Sequence, residues 1–157
     1  EYDIDKNFQI GAKLRYTLNR KKNLSYEQNS RYNLDFKFSP DIGRWKVGYR
    51  FRFQQSYEAI LLVEKDPNYE NVTRHRFSLD YNIKGFKMDP FASIEFFREY
   101  PQFSDPAFYK YRFLVGTEKN FNNQSVKLEY GIERDLNNLL PATIYIIKLS
   151  YKFSVNN

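Results

Sequence analysis

The single histidine of the chain, His75, is the side chain best suited to acid–base catalysis near neutral pH. A serine hydrolase would need a serine hydroxyl within hydrogen-bond reach of this imidazole and a carboxylate to orient it. Ser78 follows three residues later, which in a β-strand places it on the opposite face, and we expect Ser56 to lie in a loop. The spacing therefore favours a non-catalytic His75.

Two pairs of glutamates, Glu95 with Glu99 and Glu129 with Glu133, could supply the two carboxyl groups of a glycosidase. Each pair shares one face of a strand, whereas that chemistry needs carboxyl groups on either side of a cleft. The chain has no cysteine, no glycine-rich phosphate loop and no His/Asp/Glu spacing typical of a metal site. We expect no enzyme activity, no catalytic residue, no cofactor and no metal.

The dominant pattern along the chain is alternation with a period of two residues, which is typical of a β-strand with one polar and one apolar face. In the first segment the apolar positions are the even-numbered ones, Phe8, Ile10, Ala12, Leu14, Tyr16 and Leu18. This alternation recurs and predicts eight strands, at residues 7–19, 30–39, 44–54, 73–83, 91–99, 110–119, 125–134 and 143–153. The fifth segment is the least regular.

The segment lengths and the connections between them favour a barrel that crosses a membrane. Tilted strands of about 9–11 residues span a bilayer, and an even number of strands can close without free edges. The connections alternate between long and short, as in outer-membrane barrels; the only candidate helix, residues 57–65, lies in the longest connection. We predict an all-β fold, one domain over residues 1–157 that forms an eight-stranded antiparallel up-and-down transmembrane β-barrel.

Two arguments place the charged face inside this barrel. Its interior is only wide enough to be filled by side chains, so the aromatic set, drawn from 14 Tyr and 15 Phe, would overfill it. Four glycines in the polar set, Gly11, Gly48, Gly116 and Gly131, would leave room for long side chains. We expect an interior plug of ion pairs formed by Arg15, Arg31, Asp35, Arg50, Arg52, Arg74, Arg76, Asp80, Glu95, Glu99, Arg112, Glu118, Glu129 and Glu133. We expect lipid or a protein partner to contact Phe8, Tyr16, Phe36, Trp45, Tyr49, Phe51, Phe113, Tyr130, Tyr151 and Phe153.

A set of short motifs spans roughly residues 8–153. They are Tyr49-Arg50-Phe51-Arg52, Arg74-His75-Arg76-Phe77, Pro90-Phe91-Ala92-Ser93-Ile94-Glu95, Tyr111-Arg112-Phe113 with Gly116 and Glu118, Glu129-Tyr130-Gly131-Ile132-Glu133-Arg134, and Leu149-Ser150-Tyr151-Lys152-Phe153. In these motifs the chain resembles small outer-membrane barrels of Bacteroidota that are grouped as a domain of unknown function. The resemblance implies a bacterial outer-membrane location and a barrel fold, and it carries no catalytic residues. Four residues follow Phe153, whereas barrel assembly signals usually end on an aromatic residue.

Charge and patterning together predict the function class. The net charge of +6 is compatible with nucleic acid or with an anionic surface such as lipopolysaccharide, but because charges of both signs are interleaved it can equally serve solubility alone. We expect no nucleic-acid partner. We predict a non-enzymatic outer-membrane barrel, a structural or accessory subunit of an outer-membrane protein complex, in contact with lipid, lipopolysaccharide and a larger membrane protein. One alternative is a soluble or surface lipocalin-like barrel that binds an apolar ligand, and a weaker one is a lipid-A-modifying enzyme. The basic run 20–22 is better explained as a solvated loop tip than as a contact for lipopolysaccharide or a partner, and the apolar run 61–63 is either a protein contact or a cap on the barrel mouth.

Overall fold

The computed structural model of the chain describes residues 1–20, 26–58, 69–85, 88–121 and 123–153. These residues form ten β-strands and no helix. The described part of the chain therefore contains no helix that is long and apolar enough to span a membrane. The strands are β1 (Tyr2–Asp3), β2 (Phe8–Arg20), β3 (Tyr26–Phe38), β4 (Asp41–Ile42), β5 (Trp45–Glu58), β6 (Tyr69–Tyr81), β7 (Met88–Tyr100), β8 (Ala107–Asn120), β9 (Gln124–Asp135) and β10 (Thr143–Phe153).

All ten strands belong to one antiparallel sheet, in the order β1-β2-β3-β5-β6-β7-β8-β9-β10, with β4 paired to the start of β5. The all-β antiparallel fold is thus confirmed. The strand count of eight is not, because β1 and β4 are additional strands of two residues each. A strand of two residues is too short to show alternation, so the sequence pattern could not predict β1 or β4. The eight long strands, of 11 to 14 residues, overlap the eight predicted segments.

The long strands extend beyond several predicted boundaries. β2 extends to Arg20 and β3 begins at Tyr26, so both strands run into the connection predicted between residues 19 and 30. β5 extends to Glu58, so Ser56 lies in a strand. Residues 57 and 58 are likewise extended, which contradicts the start of the predicted helix; the rest of that helix and the apolar run 61–63 lie outside the described residues. Backbone pairing continues past the last apolar position, because polar side chains on both faces do not prevent ladder hydrogen bonds.

The sheet is open in this structure, so the predicted closure into a barrel is not found. No described residue of β2 pairs with β10. Part of the outer edge of β2 is instead occupied by β1, through the pairs Tyr2↔Ile10 and Asp3↔Gln9. Alternation specifies which face a side chain occupies, but it carries no information about whether the first and last strands meet.

The charged face of the sheet is the more buried one. Asp35, Glu95 and Glu129 on this face are only 6%, 4% and 2% exposed, although no second layer covers them within the described residues. Neighbouring side chains of the same sheet, mainly long cations, therefore shield them. We call the face that carries these carboxylates the inner face, and the opposite face the outer face.

Candidate functional site on the inner face

Six charged side chains form one continuous row across the inner face. Lys37, Arg50, Arg76, Glu95, Arg112 and Glu133 are successive cross-strand partners on β3, β5, β6, β7, β8 and β9. We call this set the central charge row. Directly opposed residues in an antiparallel sheet have Cβ atoms about 4.5–5.5 Å apart, so each member contacts the next. The row contains four cations and two carboxylates.

Glu95 is the hub of this row. Its carboxylate accepts a hydrogen bond from Arg50 Nη2 at 2.7 Å and a bidentate pair from Arg74 at 3.1 and 3.0 Å. Arg112 Nη1 lies 3.7 Å from the same carboxylate, and Arg112 Nε donates to Glu133 at 2.8 Å. Three arginines from three strands therefore converge on one buried glutamate, which is the arrangement that allows an ion to remain charged away from water.

An aromatic ring lies among these cations. The Phe97 centroid is 4.6 Å from the Arg74 guanidinium carbon, 4.7 Å from Lys110 Nζ and 5.3 Å from the guanidinium carbon of Arg112. Phe97 is 4% exposed, so its ring contributes cation–π attraction in a site largely free of water. Alternation along the strand from Glu95 to Glu99 places Phe97 on this face, but its role in the network was not predicted. The feature of the sequence that could have indicated this role is an aromatic residue at a position between inward-facing charged residues.

Two further ion-pair groups flank the row. Arg52 binds Asp35 through two hydrogen bonds, of 2.5 and 2.6 Å. Glu129 accepts a hydrogen bond from Lys148 at 2.7 Å, and Lys127 Nζ lies 3.7 Å from its other oxygen. Both lysines, like Lys110, were missing from the expected network, because only arginines were considered as its cations.

Other residues of the expected network form no ion pair with described residues. Arg15 is exposed and lies opposite Arg31, whose Nε donates to Ser56 Oγ at 3.3 Å. Arg76 Nη2 donates to Ser93 Oγ at 3.2 Å. Three carboxylates are also without an ion-pair partner among the described residues: Asp80, Glu99 and Glu118.

The inner-face glycines accommodate neighbours other than the expected long cations. A Cβ on Gly131 would meet the carbonyl oxygen of Phe113, and one on Gly116 would meet the carbonyl oxygen of Leu128 and the Phe91 ring. A Cβ on Gly48 would meet the Ser78 hydroxyl. The physical reason proposed for these glycines from the sequence is therefore wrong at these three positions. The groups that need the space are backbone oxygens, an aromatic ring and a hydroxyl.

The outer face is apolar and largely uncovered. Eight of the ten aromatic residues expected there are at least 40% exposed, while Tyr49 and Phe51 are half-buried. The accessible surface of the chain is 12008 Å², against roughly 8,400 Å² for an ordinary folded monomer of 19.0 kDa. A large apolar face of this kind marks a surface that contacts something other than water.

His75 lies on the outer face among aromatic rings. Its Nδ1 is 2.9 Å from the Tyr49 hydroxyl, and its ring makes edge contacts with Phe51 and Phe108. Ser78 lies on the inner face, opposite Gly48, so the strand separates this hydroxyl from the imidazole. No group of three or more metal-binding side chains occurs among the described residues. Glu95, Glu129 and Glu133 are engaged by cations, which holds them as carboxylate ions within the sheet.

These features define a class of protein, an antiparallel β-sheet with a buried charged face and an exposed aromatic face. The chain belongs to the DUF2490 family of proteins of unknown function, whose sequence model matches residues 1–141. No curated protein and no solved structure matches the chain. Membership of a family of unknown function is thus confirmed, whereas the outer-membrane and Bacteroidota parts of the resemblance stay predictions.

Proposed function

We propose that the chain is a non-enzymatic protein of a bacterial outer membrane. The outer face of its sheet contacts lipid, and the charged inner face fills the space that the sheet encloses. The observation that carries the proposal is the inverted polarity of the sheet. Glu95 and Glu129 are buried, while Leu149 and Tyr151 on the outer face are 72% and 62% exposed. A water-soluble sheet buries the apolar face, and a membrane barrel exposes it to lipid.

The strand lengths support this proposal. The eight long strands have 11 to 14 residues, and a tilted strand of about 9–11 residues crosses the hydrocarbon core. In lipid each unpaired backbone group costs several kcal/mol, so the free edges of β2 and β10 need partners. The proposal therefore includes pairing of these two edges in the membrane.

The further part of the proposal is a structural or accessory role beside a larger outer-membrane protein, with lipopolysaccharide as a neighbour. The exposed aromatic wall supports it, because aromatic side chains are enriched in protein–protein contacts. The lipocalin-like alternative needs the aromatic set around an internal ligand, and no observation favours it. The alternative of a lipid-A-modifying enzyme would need a serine and a carboxylate beside His75, and the described contacts of His75 include neither.

Membrane fractionation followed by gel mobility tests the proposal. We expect the chain to sediment with the outer membrane, to resist extraction by carbonate, and to be released only by detergent. A closed barrel in detergent migrates faster before boiling than after it. Release in plain buffer as a monomer would contradict the membrane location, and an unchanged mobility on boiling would contradict edge pairing within one chain.

A further inference from the structure

Three cations are direct neighbours at one end of the central charge row. Lys37, Arg50 and Arg76 occupy successive strands, with the pairs Lys37↔Arg50 and Arg50↔Arg76. Like charges directly opposite each other destabilise an antiparallel pair. A sheet that places three of them side by side therefore carries local positive charge that calls for a compensating anion.

The carboxylates nearby, which also include Asp35 close to Lys37 and Arg50 and Asp80 close to Arg76, compensate this charge only in part. Arg50 shares Glu95 with Arg74 and Arg112, and Lys37 Nζ lies 2.9 Å from Glu1 Oε1 at the exposed edge. The hydrogen bond from Lys37 holds the pKa of the Glu1 carboxyl below its ordinary value. Arg76 has a hydroxyl partner and no carboxylate partner among the described residues.

One buried donor of this group is also unused. Arg50 Nε is shielded from water and has no hydrogen-bond partner among the described residues. An unpaired buried donor costs about 1–3 kcal/mol, so such groups in proteins are normally satisfied by a bound ion or water. This donor belongs to one of the three cations, although its shielding from water means that the nitrogen itself does not face open space.

A cavity of about 190 Å³ opens between these side chains. It is lined by the three cations and by five other residues, none of them a carboxylate: Phe38, Ser39, Gly48, Tyr49 and Ser78. A water molecule takes about 30 Å³ of liquid volume, so the cavity has room for a tetrahedral oxyanion. The cations and the two serine hydroxyls are the donors that such an ion uses.

We propose that this cavity, bounded by Lys37, Arg50 and Arg76, is a binding site for a phosphate-type oxyanion. The donors are two guanidinium groups, one ammonium and the hydroxyls of Ser39 and Ser78. Gly48 makes room for the Ser78 hydroxyl, one of these donors, because a side chain there would occupy the position of that hydroxyl. The three cations belong to the inner face, so the proposal does not depend on what the outer face contacts.

Titration of the detergent-purified full chain with inorganic phosphate tests the site. Potassium chloride of equal ionic strength is the reference, and thermal unfolding and calorimetry are the readouts. We expect phosphate to raise the midpoint temperature above the chloride value and to give a saturable heat. Stabilisation by phosphate that merely equals that of chloride would overturn the proposal.

Two single substitutions test whether phosphate binds in the cavity. Arg76→Gln should weaken phosphate binding roughly tenfold or more, because a charge-assisted hydrogen bond is lost. Arg15→Gln removes the same charge from an exposed position outside the cavity and should leave the affinity within about twofold. Equal affinity of the Arg76 variant and the unsubstituted chain would overturn the site.

Gly48→Ala provides a test that leaves every charge in place. It should weaken phosphate binding by narrowing the cavity, and it decides the question if Arg76→Gln does not fold. Competition with lipid A in the same micelles then identifies the source of the phosphate group. Displacement of inorganic phosphate by lipid A indicates a lipid headgroup, and the absence of displacement indicates a free anion.

Discussion

Arg50 on β5 reaches past the intervening strand β6 to Glu95 on β7, where Nη2 and Oε1 are 2.7 Å apart. Strands two apart in a sheet are separated by about 9–10 Å, a distance that an arginine and a glutamate side chain span together. The ion pair therefore joins two strands that share no backbone hydrogen bonds, and together with the contacts from Arg74 and Arg112 it makes Glu95 the centre of the inner-face charges.

Replacement of Glu95 tests this dependence. Glu95→Gln leaves Arg50, Arg74 and Arg112 without their shared carboxylate, and removal of one partner from a buried ion pair costs about 3–5 kcal/mol. We expect a loss of that size in the free energy of unfolding, measured by urea titration in detergent micelles. Glu99→Gln on the same strand is the control, since Glu99 has no ion-pair partner among the described residues, and it should change stability little. Equal effects of the two substitutions would show that the convergence of arginines on Glu95 carries no special stability.

A pair of arginine substitutions on β10 tests which face contacts lipid. Leu149 and Ser150 are adjacent and point to opposite faces, so the same new side chain enters two environments. Leu149→Arg on the outer face should destabilise the chain in lipid vesicles by about 2–4 kcal/mol, the cost of a cation at the lipid side of a barrel. Ser150→Arg should cost much less. A larger loss for Ser150→Arg, measured by urea unfolding in vesicles, would reverse the assignment of the faces.

Disulfide cross-linking tests whether the edges of the sheet meet. The chain has no cysteine, so introduced pairs report without background. Ala12→Cys on β2 is combined in turn with Tyr145→Cys, Ile147→Cys and Leu149→Cys on β10, and we expect one combination to cross-link within the chain after membrane insertion. Ala12→Cys with Leu34→Cys is the positive control, because these residues are already cross-strand partners. Cross-linked dimers would instead indicate edge pairing between two copies, and an absence of any product would mean that the sheet stays open.

Alanine substitutions distinguish the inner-face glycines from one another. Gly131→Ala places a methyl group against the Phe113 carbonyl oxygen, which is backbone and cannot move aside cheaply. We expect a loss of about 1–3 kcal/mol, the usual cost of overpacking. Gly11→Ala meets the flexible Glu1 side chain, whose Cγ lies 3.2 Å away, and makes an ordinary contact with Asp35 Cβ at 3.8 Å, so it should be close to neutral. Thermal unfolding of the two variants measures the difference, and similar midpoints would contradict the crowding at Gly131.

The strands, and the division of their residues between two faces, could be predicted from the sequence alone. Side-chain direction alternates at every residue of a strand, so Asp35 and Arg52 could be assigned to one face without knowing where either strand lies. For the same reason Ser78 could be separated from His75. These relations are local, and local spacing is sufficient to derive them.

The partners across the sheet were decided by the tertiary structure. Glu95 binds Arg50, Arg74 and Arg112, while Arg76 opposes Glu95 in register and donates to Ser93. These partners depend on the alignment of four strands. Alignment is set by pairings between residues far apart in the chain, and alternation with a period of two is compatible with several of them. The open edge between β2 and β10 has the same origin, because no local pattern along either strand specifies its neighbour.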